Sequence, residues 1–176
     1  ARPAGTPADP ATLDQVRTAV AAALDTGRLQ TDVSAAGPGL DARVKEIVAR
    51  DFAGRIEFLA QNIKTADFGD PVFPPYTIRP VNGVPVAIVG QAFPYTPIAN
   101  PRYFVADWTF GIQDEALQKV VDEVRGKGAQ AVVLLSHNGM DVDLKLASRV
   151  AGVDAILGGH THDGVPQPIV VKNAGG

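Results

Sequence analysis

The sequence predicts an α/β fold, because helix-like and strand-like segments alternate in the C-terminal half. Residues 115–125 carry apolar side chains at the spacing of an amphipathic helix, and a shorter helix is predicted at 144–150. Continuous apolar runs lie at 129–135, 153–157 and 168–171. Such runs are typical of strands that are buried on both faces. We therefore expect a sheet that is covered on both sides.

The N-terminal part is predicted to hold a tail and two helices. Residues 1–10 are mainly Pro, Ala and Gly, a composition that cannot bury itself. Apolar residues at helical spacing predict a first helix over 11–27, and Asp41 is predicted to cap a second helix that ends near Gly54. We treat residues 1–40 as an N-terminal segment, a tail plus a helix, without an assigned role.

A β-hairpin is predicted in the middle of the chain. Asn82 and Gly83 form the dipeptide that favours a two-residue hairpin turn, and they join the apolar segments YTIRPV and VPVAIVG. The prolines in these segments favour the edge of a sheet, because proline cannot donate a ladder hydrogen bond. Residues 56–63 are predicted to form a further short, buried strand.

Composition excludes several classes of function. The formal net charge of the 176 residues is −3, so neither nucleic acid nor an anionic membrane is expected as a partner. The absence of cysteine excludes disulfides, thiolate metal sites and a cysteine nucleophile. No apolar stretch reaches the roughly 18 residues of a membrane span, and the N-terminus lacks the apolar core of a signal peptide.

All three histidines follow predicted buried strands. His137 comes after AVVLLS, and His160 and His162 come after DAILGG. Because ligands of open α/β sheets bind beyond the carboxyl ends of the strands, we expect the imidazoles at a functional edge. In an extended loop the rings of His160 and His162 would point in opposite directions, which suits two neighbouring metals. The alternative is that these histidines are polar residues of surface turns.

Three aspartates near the histidines allow both structural and functional interpretations. Asp141 and Asp143 lie at the start of a predicted helix, where carboxylates complement the helix dipole. Metal ligation is their alternative role. Asp163 follows His162 and is a candidate for the hydrogen-bonding partner that fixes the tautomer of a ligating imidazole. A solvated loop carboxylate is the alternative for Asp163.

A loop rich in proline and aromatic residues extends over residues 90–104. Loops of this length in folded domains are usually functional or disordered, so Phe93 and Tyr95 are candidates for contact with a substrate or a partner protein. The alternative is that the aromatic side chains of this loop pack into the core, as Trp108 is expected to do.

Two motifs resemble the last two metal motifs of the calcineurin-like metallophosphoesterases, in their 5′-nucleotidase branch. They are LLSHNGMD at 134–141 and ILGGHTHD at 156–163. The segments FLAQNIKTADFGDPVFPPYTI (58–78) and GQAFPYTPIANPRYFVADWTFG (90–111) narrow the resemblance to the SoxB group of thiosulfohydrolases. The resemblance covers about residues 43–176.

The resemblance implies a fold and a place within it. The fold is the metallophosphoesterase α/β sandwich, with mixed sheets and helices on the outer faces. Residues 41–176 would form the C-terminal half of its catalytic domain. The earlier ligand motifs of the family, which include a bridging aspartate, do not occur in this sequence. We therefore expect an internal part of the enzyme that is inactive alone and is completed by an N-terminal part.

The resemblance also implies cofactors and an activity. His137 and His160 would bind one divalent metal and His162 a second; the metals would be manganese, with zinc or iron as alternatives. No residue of this chain is assigned as catalytic. The implied activity is release of sulfate from a cysteine S-thiosulfonate on the sulfur-carrier protein of the Sox system, in the periplasm. The alternatives are a 5′-nucleotidase-like phosphoesterase and, for the isolated chain, an inactive module that binds the carrier.

Overall fold

A four-stranded mixed sheet is the centre of the structure, a computed structural model that describes residues 40–173. The helices are α1 (Leu40–Arg50), α2 (Thr96–Ala99), α3 (Asp114–Gly126) and α4 (Met140–Arg149), with a 3₁₀ turn at Arg102–Val105. The strands are β1 (Lys64–Thr65), β2 (Tyr76–Val81), β3 (Val84–Gln91), β4 (Trp108–Thr109), β5 (Ala131–Ser136) and β6 (Ala155–Gly158). The helix predicted at 11–27 lies outside the described residues.

The strands of the main sheet lie in the order β2-β3-β5-β6. Strand β2 is antiparallel to β3, whereas β3, β5 and β6 are mutually parallel neighbours. The register pairs Gln91 with Ser136 and Ser136 with Gly158. The carboxyl ends of the three parallel strands are therefore level, and the segments that follow them leave the sheet at one edge.

The predicted hairpin is confirmed. Strands β2 and β3 pair from Tyr76 with Val89 to Val81 with Val84. Asn82 and Gly83 have φ values of 49° and 80°, the left-handed conformation that a two-residue hairpin turn of this kind requires at both positions. Because β2 is the first strand in the order, Pro80 lies at a sheet edge, as expected. Pro85 lies in β3, which has a strand on either side, so the expectation is wrong for that segment.

Helices α3 and α4 pack on one face of the main sheet. Leu117 and Val121 of α3 and Leu146 of α4 share a buried cluster with Val89 and Leu134 of the strands. A second cluster, on side chains that alternate with these along the strands, contains Val86, Ala131 and Val133. The α/β class and the mixed sheet are confirmed. No helix within residues 40–173 is long and apolar enough to cross a membrane.

A third cluster joins α1 to the two-stranded sheet of β1 and β4. Val44 and Val48 of α1 pack against Phe73 and Trp108, whose rings meet edge to face at 5.4 Å between centroids. Trp108 is buried, as predicted. Helix α1 begins at Leu40, so Asp41 lies within its first turn and not at the expected cap position. The helix ends at Arg50, before the expected end near Gly54.

Two predicted strands are wrong. Residues 56–63 are irregular, because their backbone crosses close to β3: a Cβ placed on Gly90 would lie 2.0 Å from the carbonyl oxygen of Leu59. The apolar run at 168–171 also forms no strand, and the side chain of Val170 is 89% exposed. Apolar composition alone therefore does not make a strand, because packing against neighbouring segments decides whether a run adopts that conformation.

Candidate metal centre

The imidazoles of His137 and His160 meet at the carboxyl edge of the parallel strands. His137 directly follows β5, and its backbone N–H donates to the carbonyl oxygen of Gln91 at 3.0 Å. His160 lies two residues beyond the end of β6. The ring centroids are 5.1 Å apart, and the ring planes are inclined by 68°. The expected placement of these two histidines is thus observed, and their role as metal ligands stays a prediction.

The backbone at His160 and His162 is not extended, which corrects the expectation for this loop. His160 has a φ of 83° and His162 a φ of 56°. These left-handed values are uncommon for residues other than glycine, although histidine adopts them more readily than most. Within residues 40–173, His162 makes no ring contact with the other two imidazoles. Its charge still lowers the pKa of His137.

Glycines allow the two histidine turns to approach each other closely. A Cβ on Gly159 would lie 3.1 Å from Nδ1 of His137. A Cβ on Gly139, whose φ is 96°, would lie 2.9 Å from the methyl carbon of Thr161. A side chain at either position would therefore separate the turn after β5 from the turn after β6.

Phe93 packs on the histidines. Its ring lies 4.1 Å from that of His160 and 6.3 Å from that of His137, between centroids. Tyr95 is 42% exposed and meets Phe93 edge to face at 5.7 Å. Tyr103 is 72% exposed, so the aromatic side chains of this loop do not all enter the core. A role of Phe93 and Tyr95 toward substrate or partner stays a prediction.

Asp143 points into the protein beneath the histidine turns. Its Oδ1 accepts hydrogen bonds from the hydroxyl of Ser136 at 2.6 Å and from the side-chain amide of Asn138 at 3.0 Å. Its Oδ2 is buried and has no hydrogen-bond partner among the described residues. Asp141, in the same first turn of α4, is exposed. The dipole interpretation thus accounts for Asp141 but misses the contacts of Asp143.

Sequence reasoning also missed Asn138 and Gln91. Both side chains are buried, and the amide of Gln91 donates to the side-chain oxygen of Asn138 at 3.2 Å. One available signal was the placement of polar Ser136 and Asn138 on either side of His137, directly after an apolar strand. Buried polar side chains need partners, so this pattern already pointed to a hydrogen-bonded network.

The surroundings favour the neutral form of His137. Partial burial lowers its pKa below the ordinary value of 6.5, and the neighbouring His160 and His162 lower it further. Burial raises the pKa of the Asp143 carboxyl, against the hydrogen bonds from Ser136 and Asn138. A metal binds the neutral imidazole, so a lowered pKa favours the ligating form of His137 near neutral pH.

Asp163 interacts with Thr161. Its carboxylate accepts a hydrogen bond from the Thr161 hydroxyl, and that hydroxyl oxygen accepts one from the backbone N–H of Met140 at 3.1 Å. These bonds tie the turn after β6 to the start of α4. A role for Asp163 in fixing an imidazole tautomer stays a prediction.

The described residues fit a metal centre only in part. No three His, Cys, Asp or Glu side chains within residues 40–173 come close enough to hold a metal ion. His137 and His160 fit as two neighbouring imidazole ligands, whereas Asp143 and Asp163 bond to other side chains. A complete centre would therefore need further ligands, carboxylates above all.

Comparison with known proteins places these motifs in a wider group. No family model matches the chain. The 5′-nucleotidase of Rattus norvegicus is 35% identical over 89 residues, which are 50% of this chain and 15% of that protein. The uncharacterized metallophosphoesterase YunD of Bacillus subtilis is 37% identical over 89 residues, 50% of this chain and 18% of that protein. The chain thus spans less than a fifth of these relatives.

The chain also resembles solved structures from this group of proteins. The sulfate thiohydrolase SoxB of Thermus thermophilus has a TM-score of 0.70 and 45% identity, covering 74% of this chain and 23% of that one. A 5′-nucleotidase precursor, also of Thermus thermophilus, has a TM-score of 0.57 and 33% identity, covering 70% and 27%. YfkN of Bacillus subtilis, a calcineurin-like phosphoesterase at 22% identity and a TM-score of 0.58, shares the fold.

These similarities confirm the resemblance that the two histidine motifs indicated. The chain is related to the calcineurin-like phosphoesterases, in their 5′-nucleotidase group. Within that group it is SoxB-like. Its relatives include metal-dependent hydrolases, which implies divalent metals as cofactors.

Proposed function

We propose that this chain contributes part of a two-metal centre to a SoxB-like enzyme. The enzyme would release sulfate from a cysteine S-thiosulfonate on the carrier protein of the Sox system. The observation that carries the proposal is the meeting of His137 and His160, 5.1 Å apart at the carboxyl edge. It occurs in a chain of which 74% aligns, at 45% identity, with the sulfate thiohydrolase SoxB of Thermus thermophilus.

The proposed metals are two divalent cations, manganese with zinc or iron as alternatives. His137 and His160 would hold one cation and His162 the other. Two cations about 3.5 to 4 Å apart repel each other and need a bridging carboxylate. Neutral imidazoles carry no such charge, so we propose that an N-terminal part of the same enzyme supplies the carboxylates. When bound, the metals polarise the oxygens of the reacting sulfur centre.

The residues of this chain would orient the ligands of the centre. The lowered pKa of His137 favours the neutral imidazole, which would serve as a ligand without transferring a proton. The ring of Phe93 packs against that of His160, which is otherwise exposed, and would limit the orientations of this imidazole. In the proposed hydrolysis, the oxygen of water bonds to the terminal sulfonate sulfur, and the bond between that sulfur and the neighbouring sulfane sulfur breaks. The bonding pair stays on the sulfane sulfur, which remains attached to the carrier cysteine as a persulfide, and the two protons of water pass to it or to solvent as sulfate leaves.

Replacing His160 tests the proposal directly. In the full-length enzyme, we expect His160→Ala to lower bound metal and to reduce turnover of a carrier S-thiosulfonate at least about a hundredfold, because metal polarisation contributes several kcal/mol. Asp141→Ala is the matched control, because Asp141 is exposed on the neighbouring turn. Full metal content and unchanged turnover in His160→Ala would contradict the proposal.

A 5′-nucleotidase-like phosphoesterase is the second candidate. The 35% identity to the rat 5′-nucleotidase favours it, and the same metals would act on a phosphate ester. Turnover of a nucleoside monophosphate and of an S-thiosulfonate, measured side by side on the same enzyme, separates the two. Hydrolysis of the nucleotide alone would replace the first proposal by the second.

The proposed location and the behaviour of the isolated chain follow from the same assignment. We propose a periplasmic enzyme, and the description of the Thermus 5′-nucleotidase as a precursor is in keeping with an exported protein. The isolated chain would be inactive, because it holds only part of the ligand set. Calorimetry that detects carrier binding without metal uptake would identify it as a carrier-binding module.

A further inference from the structure

A buried polar cluster lies beneath the two histidine turns. We use "polar cluster" for Gln91, Ser136, Asn138 and Asp143, whose side chains are all buried. Asp143, on the first turn of α4, is its centre and accepts hydrogen bonds from Ser136 and Asn138 through one oxygen. The backbone N–H of Asn138 donates to the Ser136 hydroxyl at 3.1 Å, which closes a small ring of bonds.

The polar cluster holds His137 from both sides along the chain. Ser136 precedes His137 and Asn138 follows it, and both donate to the same carboxylate oxygen. The backbone N–H of His137 itself donates to the carbonyl oxygen of Gln91. With three consecutive residues tied down, the direction in which the imidazole leaves the backbone is determined.

The second oxygen of Asp143 faces Gly158, the last residue of β6 and two residues before His160. A Cβ placed on Gly158 would lie 2.6 Å from Oδ2. The backbone N–H of Gly159 donates to the carbonyl oxygen of Ser136 at 2.9 Å, which joins this turn to the polar cluster. One carboxyl group on α4 therefore lies against the ends of both segments that lead into the histidines, at Ser136 and Asn138 on one side and at Gly158 on the other.

We propose that Asp143 is a positioning residue that sets the distance between the imidazoles of His137 and His160. Asp143 touches neither substrate nor metal and acts through Ser136, Asn138 and Gly158. The consequence for metal affinity rests on the proposed function, whereas the ring geometry does not. Partners that orient ligating residues typically change metal affinity by about ten- to a hundredfold when removed.

The test measures the ring geometry and the metal affinity separately. In the metal-free 176-residue chain, the nuclear Overhauser effect between the two imidazoles reports their distance. In the full-length enzyme, titration with manganese chloride reports affinity. We expect Asp143→Ala to abolish the ring contact and to weaken manganese binding about tenfold or more. Asp143→Asn keeps a side-chain oxygen that can accept from both donors, so the ring contact should be retained. Its manganese affinity should lie within about twofold of the wild type, which is much less than the loss expected when an orienting partner is removed.

Two controls separate positioning from general loss of stability. Leu146→Ala truncates a buried residue on the same helix and should destabilise the chain while the ring contact persists. Asp141→Ala should change neither readout. If Asp143→Ala does not fold, Asn138→Ala removes one of the two bonds to Asp143 and is expected to weaken the ring contact. Its persistence in Asn138→Ala would then overturn the proposal.

The outcomes distinguish this proposal from the proposed function. A folded Asp143→Ala chain with an unchanged ring contact would overturn the positioning role. A second outcome is that Asp143→Ala loses the ring contact while the wild-type enzyme takes up no manganese. This outcome would support the positioning role and contradict the metal centre.

Discussion

The ring of Phe93 lies 4.1 Å from the imidazole of His160, centroid to centroid, with 30° between the two planes. Phe93 belongs to the loop that follows β3, and His160 belongs to the turn after β6. The contact therefore links the aromatic loop to the candidate metal centre. A substitution in the loop is therefore expected to change the position of the His160 imidazole.

Truncation of Phe93 should loosen His160. In Phe93→Ala the imidazole loses the aromatic surface that limits its rotation, so we expect manganese affinity of the full-length enzyme to fall about tenfold. The manganese affinity of Phe93→Leu should lie between those of Phe93→Ala and the wild type. Ile98→Ala, at a residue of the same loop that is 82% exposed, is the control and should bind manganese as the wild type does. Equal affinity of Phe93→Ala and Ile98→Ala would contradict the prediction.

Asn62 is expected to be essential for the order of the aromatic loop. Its side chain is fully buried, donates to the carbonyl oxygens of Ala92 and Gly111, and accepts from the backbone N–H of Ala92, each at 2.8 Å. Asn62→Ala removes the bonds to both backbone groups of Ala92 and leaves the Gly111 carbonyl with the longer bond from the Gln91 amide at 3.4 Å. The free energy of unfolding should therefore fall by about 3 kcal/mol.

Hydrogen exchange and denaturant unfolding check the Asn62 prediction. We expect faster amide exchange across 92–111 in Asn62→Ala. Asn100→Ala, which removes one side-chain bond to the carbonyl oxygen of Thr96, should cost only about 1 kcal/mol. Similar losses of unfolding free energy in Asn62→Ala and Asn100→Ala would show that Asn62 does not hold the loop in place.

Alanine should have opposite effects at two glycines. A Cβ on Gly90 would meet the backbone of Leu59 at 2.0 Å, so Gly90→Ala should lower the free energy of unfolding by about 1 to 3 kcal/mol. Gly126 ends α3 and has open space around it, so Gly126→Ala should be neutral or stabilising by up to about 1 kcal/mol. Urea unfolding of both variants measures the difference, and a stable Gly90→Ala would show that Leu59 can move away.

The pKa of His137 should lie below 6.5 in the metal-free chain, because burial and the two neighbouring histidines disfavour the imidazolium. A lowered native pKa means that the folded state binds this proton less readily than the unfolded state. The contribution of His137 to stability is therefore fully present above pH 6.5 and is lost as the pH falls through the lowered native pKa.

Titration of the imidazole signals by nuclear magnetic resonance measures this pKa. In His160→Ala we expect the pKa of His137 to rise, because one neighbouring positive charge is removed, but to stay below 6.5 while the burial remains. A midpoint at or above 6.5 in the wild-type chain would contradict the assignment.

Local chemistry explains the parts of the fold that the sequence predicted well. The hairpin at Asn82 and Gly83 was predictable because few residues adopt left-handed φ values at two successive positions. Helices α3 and α4 were predictable from apolar periodicity, although α4 begins at Met140, earlier than the predicted start. The placement of His137 and His160 followed from the general geometry of parallel strands.

The misplaced elements depended on distant neighbours. Residues 56–63 look like a strand locally, but the packing of Leu59 against Gly90 prevents a regular ladder. The inward direction of Asp143 depends on the donors at Ser136 and Asn138, which belong to the preceding strand and turn. Periodicity alone carries no information about such partners.

By itself, the sequence determined the α/β class, the hairpin, and the edge at which two of the histidines gather. These features arise from residue types and spacings that act over a few positions along the chain. Only the tertiary structure decided that Phe93 packs against His160, that the Asp143 carboxyl lies between Ser136, Asn138 and Gly158, and that His162 lies in a turn and not in an extended segment. The physical reason is that distances between chain segments are set by how strands and helices pack together.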